Sequence, residues 1–209
     1  MAAFKTPFQI FPGIFSSIDS YSKRIVDGFF EKNGRVPAWL SELGDVKKPL
    51  KPPHFSKFNA LVTDYDILLT GNMDAAFLLK DGTICIADYK TSKFTGGQDK
   101  LLSMYTVQLN AYALIAERTN FGTASKLALV YFEPETEIES DNVEKKITAS
   151  RGFALDFSAY IKPVELDVKK WTLPYLQKAR EVSNLSSPPD GKPNCQDCEK
   201  MNTILSLFN

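Results

Sequence analysis

The sequence is short of histidine and cysteine, carries no net charge and has no long apolar run, and each shortage narrows what the chain can be. One histidine, His54, and three cysteines, Cys85, Cys195 and Cys198, stand among 209 residues. Three is an odd number and makes no disulfide framework, and a chain of this length can bury a core without one. Lysine plus arginine and aspartate plus glutamate both number 25, so the formal net charge is zero. Any surface for phosphate groups must then be local, because the molecule as a whole does not steer toward polyanions. No apolar run approaches the length of a membrane span, and residues 1–15 lack the basic start and apolar middle of a signal peptide. These absences set the expectation of a soluble, cytoplasmic protein with no membrane partner.

What is present is ordinary globular material, 44% hydrophobic and 24% charged. There is no internal repeat and no inter-domain linker, so residues 1–209 are expected to form a single domain with an N-terminal helical extension and a C-terminal tail. Ile14, Ile18, Tyr21, Ile25 and Phe29, flanked by Phe15, Val26 and Phe30, recur at helical spacing and predict an amphipathic helix over 14–33, with Gly34 as its C-cap. Trp39 and Leu40 suggest a short buried turn. The prolines in KKPLKPP, residues 47–53, require extended chain. Residues 58–70 are rich in β-formers around a turn at Asp64 and Asp66. Residues 77–86, FLLKDGTICI, read as a hairpin about a two-residue Asp81-Gly82 turn. Its second arm, residues 83–89, has the apolar character of an interior strand. After the TGG of residues 95–97, a helix is predicted over 99–119, covered on much of its circumference. A buried strand follows at 127–132, a polar loop at 133–146 and another strand at 147–157. A helix over 174–185 has Pro174 in its first turn, and SSPPDGKP, residues 186–193, breaks the chain.

Three segments carry chemistry: GNMD at 71–74, DYK at 88–90 and QLNAY at 108–112. Asp74 opens the first hairpin arm and Asp88 closes the second, so antiparallel pairing would set them side by side. Asp88 and Lys90 are two apart on one strand and share a face. Two carboxylates and an amine in a small volume suit phosphodiester hydrolysis. Carboxylate oxygens hold Mg²⁺, the bound ion acidifies water, and a neighbouring lysine stabilises developing negative charge. Singly, each residue has an ordinary explanation, since an Asp near a hairpin end often caps a turn. The set in this order is more specific.

GNMDAAFLLKDGTICIADYKTSK followed by QLNAY resembles the RecB-like branch of the PD-(D/E)XK nucleases, which includes CRISPR-associated exonucleases bearing an iron–sulfur cluster. The branch pattern is GxxD, a hairpin, (D/E)xK, then QxxxY on the following helix. The resemblance is specific over residues 71–112. It implies an α/β fold of restriction-endonuclease type, a mixed central sheet flanked by helices with an αβββαβ core. It further implies Mg²⁺- or Mn²⁺-dependent cleavage of DNA, with Asp74 and Asp88 as metal ligands and Lys90 as the catalytic lysine. Gln108 and Tyr112, one helical turn apart, would face the site and the DNA backbone.

Many members add a histidine or glutamate upstream as a further ligand. His54, in KPPHFSKF, and Glu31, on the first helix, are the two candidates here, and the sequence leaves the choice open. Lys93 and Lys100, with Lys47, Lys48, Lys51 and Lys57, are candidates to line a phosphate groove, or are ordinary solvated lysines. Cluster-bearing members use one cysteine upstream and three downstream. Only Cys195 and Cys198, a CxxC, lie downstream here, and Cys85 sits inside a strand, so no iron–sulfur cluster is expected. No Walker-type glycine loop is present, so any helicase or ATPase partner must be a separate chain. A rival expectation is a non-catalytic nucleic-acid-binding or assembly module on the same fold.

Overall fold

The computed structural model describes residues 13–93, 101–148, 152–187, 189–191 and 193–206. The predicted TGG break at 95–97 and Lys100 lie outside them.

The centre is a five-stranded mixed sheet in the order β1-β4-β5-β6-β9. It is built from β1 (Val46–Leu50), β4 (Ala75–Leu79), β5 (Ile84–Lys90), β6 (Ala124–Pro134) and β9 (Phe157–Val164). A separate hairpin of β2 (Asn59–Val62) and β3 (Ile67–Thr70) turns at Asp66, which takes the left-handed conformation with φ 51°. A second small hairpin joins β7 (Ile147–Thr148) to β8 (Gly152–Phe153). The helices are α1 (Gly13–Asn33), α2 (Leu102–Arg118), α3 (Val143–Lys146), α4 (Val168–Trp171), α5 (Leu173–Ser183) and α6 (Gln196–Ser206). This is the mixed α/β sheet flanked by helices that the sequence led us to expect.

Strand β5 is the axis. It pairs antiparallel with β4 and parallel with β6, and α2 makes the crossover that a parallel pair requires. Strands β5 and β6 bury apolar side chains on both faces, with Asp88 the buried exception. Ile84 and Ile86 with Leu127, Leu129 and Tyr131 pack toward Leu109, Ala113 and Ile115 of α2. Cys85 and Ala87 with Ala128, Val130 and Phe132 pack toward Val26 of α1 and toward Leu40 and Leu43, in a 3-10 turn over Ala38–Leu43. Each such fully buried Leu or Ile contributes about 2–3 kcal/mol.

Several expectations need correction. The extended segment 47–53 supplies an edge strand, β1, which tolerates Pro49 because an edge has only one neighbour to donate to. The DG pair makes no two-residue turn: Leu79 N–H donates to Thr83 C=O at 2.8 Å, enclosing a three-residue loop. Of that loop only Gly82 has positive φ, 88°, whereas the two-residue turn would require it at Asp81 as well. Asp81 instead accepts from the N–H and hydroxyl of Thr83, which holds its carboxyl below the usual range. Helix α1 ends as expected, with Gly34 at φ 66° donating to Phe30 C=O at 2.8 Å. Its buried face is Ser22 and Val26, while Ile14, Tyr21 and Ile25 are exposed. The strand expected at 147–157 is the small β7–β8 hairpin, and the fifth strand of the sheet begins only at Phe157. Helix α6 had no counterpart in the expectations. Among the described residues, no helix is long and apolar enough to cross a membrane.

Candidate active site

The GNMD loop is held by one residue at a time. Gly71 donates its N–H to Phe58 C=O at 3.0 Å and lies under the Tyr112 ring. A β-carbon there would meet Tyr112 Cε1 at 2.7 Å and Phe58 Cδ1 at 3.1 Å, so glycine is required by close approach. The Asn72 backbone faces the Tyr112 phenol and works to lower its pKa. Met73 is buried in the core beneath α2. Three anchored residues thus leave Asp74 with one place to go, the mouth of the β4–β5 hairpin.

The register Ala75↔Ala87 puts Asp74 and Asp88 at the next step of the ladder. The two side chains are close enough to share a hydrogen bond when one is protonated. Asp74 Oδ2 accepts the Tyr89 N–H at 3.1 Å, and its Oδ1 faces the Lys23 ammonium at 3.1 Å. Asp88, 3% exposed, is paired with Lys90, whose Nζ also sits 4.0 Å from the centroid of the Tyr105 ring. Burial pushes the Asp88 carboxyl up to about 6; Lys90 opposes that rise and Asp74 adds to it. Burial also works against the Lys23 ammonium, but Asp19 and Asp74 together hold its pKa above the ordinary lysine value.

These residues fit a hard divalent cation. Both proposed ligands are carboxylates. Asp88 Oδ2 is a buried oxygen whose partner is the Lys90 ammonium, so the pair presents a buried negative charge balanced by a lysine beside it.

On α2, Gln108 Nε2 donates to the Tyr112 hydroxyl at 2.7 Å. Burial raises the Tyr112 pKa, the Gln108 hydrogen bond lowers it, and Asp88 and Asp74 raise it further, which places the phenol within electrostatic reach of both carboxylates. With Tyr112 only 7% exposed, the pair buttresses the GNMD loop.

The upstream candidates are not added to the set. Among the described residues, no group of three or more His, Cys, Asp or Glu side chains is gathered in a way that could hold a metal ion. His54 is exposed, its Nδ1 hydrogen-bonded to Ser56 Oγ at 2.8 Å and its ring tilted onto Phe55. Its carbonyl accepts from Lys57 and Phe58, so it opens the turn leading into β2. Glu31 is exposed and lines a cavity of about 390 Å³ together with Lys23, Asp27, Lys51 and Asp74. Lys93 is exposed at a second cavity of about 400 Å³, beside Phe15, Ile18 and Phe157. Lys47, Lys48 and Lys57 are exposed.

Sequence reasoning missed two residues. Lys23 is one lysine among many in the sequence, and only the fold brings it to Asp74 across 51 residues. Asn110 lies inside QLNAY, fully buried. It donates to Thr106 C=O at 2.9 Å and Glu165 C=O at 2.8 Å and accepts the Asp167 N–H at 2.8 Å, so it pins the chain between β9 and α4 to α2. A polar residue on the covered side of a helix was the available signal.

The cysteines stand apart from this site. Cys85 is buried, and burial pushes its thiol up to about 12. Cys195 and Cys198 are partly exposed and are not joined in a disulfide; the N–H and thiol of Cys198 and the N–H of Asp197 lower the Cys195 pKa.

Residues 23–202 match the family model for the PD-(D/E)XK nuclease superfamily. A solved structure described as the crystal structure of SSO0001 aligns with a TM-score of 0.44 and 15% identity, over 95% of this chain and 70% of that one. No curated protein matches the sequence.

Proposed function

The chain belongs to the PD-(D/E)XK nuclease superfamily, and on that premise we propose that it hydrolyses phosphodiester bonds in DNA with a divalent metal ion held by Asp74 and Asp88. The observation that carries this reading is the convergence of Asp74, Asp88 and Lys90 at the mouth of one hairpin, with the buried Asp88 carboxylate paired to Lys90 and beside Asp74. Mg²⁺ or Mn²⁺ would supply an acidified water and charge compensation for the phosphoryl oxygens. The protein supplies the rest. Tyr89 N–H fixes the rotation of Asp74. Tyr105 and Asp88 hold Lys90 where its ammonium can orient water and meet negative charge building on the phosphoryl group. Gln108 and Tyr112 keep the Asp74 loop in place.

The finer assignments rest on the motif order. GxxD, hairpin, DxK and QxxxY support the RecB-like branch and, through it, exonuclease action in the cytoplasm with a separate helicase or ATPase chain. Lys93, three residues past Lys90, is the proposed contact for the substrate backbone. The deciding experiment incubates purified protein with linear and circular, single- and double-stranded DNA and RNA in Mg²⁺, Mn²⁺ or EDTA. Metal-dependent cleavage of DNA, abolished in Asp88→Asn, is the expected result. Binding without cleavage in any metal would instead make the chain a nucleic-acid-binding module.

A further inference from the structure

Lys23 has no place in the motif, yet its ammonium makes a long-range contact with Asp74. Its Nζ lies 3.1 Å from Asp74 Oδ1 and 2.8 Å from Asp19 Oδ2. The other oxygen of Asp74 is engaged by Tyr89 N–H, so Oδ1 is the oxygen left for a cation, and the ammonium occupies it. We propose that Lys23 is an exchangeable internal cation: it holds Asp74 while the site is free of divalent metal, yields that carboxylate when the metal arrives, and is retained by Asp19. This rests on the proposed metal role of Asp74 and Asp88.

The geometry supports exchange over a fixed bridge. Asp19 and Lys23 are four apart on α1, neighbours on one helix face, so the lysine keeps a partner without any movement of the backbone. The side chain is one-third exposed, which admits water to the released ammonium. Its four-carbon stem is flexible and its charge compact. Lys90 makes the contrast: it is more enclosed, faces the Tyr105 ring and is paired with the buried Asp88, so it stays. An ammonium and a divalent ion seeking the same carboxylate oxygen repel each other, and that repulsion costs metal affinity.

The test is calorimetric titration of the full chain with Mn²⁺, without nucleic acid, at fixed ionic strength. Lys23→Met should bind Mn²⁺ about tenfold more tightly than the wild type, because a positive charge near the ion has gone. Lys23→Arg keeps a cation and should stay near the wild type. Asp19→Asn should weaken binding several-fold, because the ammonium then has only Asp74. In the Lys23→Met background Asp19→Asn should change little, since the coupling runs through the lysine. Equal or weaker binding in Lys23→Met, or an undiminished Asp19→Asn effect in that background, would overturn the exchange. If Lys23→Met fails to fold, tight or unchanged binding by Asp19→Asn alone does so. Wild-type protein that binds no Mn²⁺, or binds it equally well as Asp88→Asn, removes the metal reading itself. Binding that requires Asp88 but ignores Lys23 and Asp19 removes only the exchange.

Discussion

Gly71 and Tyr112 are in contact because one of them has no side chain: a β-carbon on Gly71 would stand 2.7 Å from Tyr112 Cε1. The loop that delivers Asp74 and the helix that carries Gln108 and Tyr112 are thereby locked together. Gly71→Ala should cost about 1–3 kcal/mol of stability by overpacking and should lower cleavage as Asp74 is displaced. Gly28 supplies the control. It lies inside α1 with nothing within 4 Å of a built β-carbon, so Gly28→Ala should stabilise by about 0.5–1 kcal/mol. Urea denaturation of the two variants should move the midpoints in opposite directions.

Asp88 and Lys90 are expected to couple strongly. Lys90→Ala strands a buried carboxylate, so it should destabilise the fold as well as reduce cleavage by about 100-fold or more. With Asp88→Asn the buried charge is gone, and Lys90→Ala should then cost much less stability. A double-mutant cycle on unfolding free energies checks this; additive costs would show that the pair is not coupled.

Asn110→Ala removes partners from the Glu165 carbonyl and the Asp167 N–H at once. A loss of about 2–6 kcal/mol is expected, at about 1–3 kcal/mol for each group left unsatisfied. Hydrogen exchange should locate the opening at residues 165–168, where protection would fall most.

The three thiols should separate by reactivity. Because hydrogen bonds from Cys198 lower the Cys195 pKa, its thiolate forms at lower pH than that of an ordinary thiol. Alkylation at Cys195 should therefore rise and level off at lower pH than that of a free cysteine model. Cys85, pushed up to about 12 by burial, should stay unmodified in the folded protein. Peptide mapping after timed iodoacetamide treatment reads all three, and labelling of Cys85 ahead of Cys195 would contradict the structure.

Much of this architecture was legible because its signals are local. Hairpin, interior strand and covered helix each announce themselves by period and composition, and the spacing of Asp74, Asp88 and Lys90 follows from the strands that bear them. What escaped depends on distant partners. Strand β9 carries an interior proline and little alternation, and it becomes a strand because β6 offers it a full register from Leu127 to Pro134. Lys23 reaches Asp74 only after the sheet is assembled. His54 was a candidate through the upstream position that the resemblance implies; in the fold it opens a turn and its ring bonds Ser56, two residues on, which only the local chain geometry decides. The apolar residues of α1 included both the buried Val26 and the exposed Ile14, Tyr21 and Ile25, because helical period alone does not say which stripe meets the sheet.

The sheet ends on both sides with proline and lysine. Strand β1 carries Pro49 beside Lys47 and Lys48, and β9 carries Pro163 beside Lys162. A foreign strand trying to extend the sheet would meet, at either margin, a residue with no amide proton and a charge that resists burial. The margins are thus protected against strand addition, the route by which exposed sheets recruit other chains into aggregates. The inner strands can then bury apolar side chains on both faces around Asp88, as the site's rigid support demands, without making the molecule prone to polymerise.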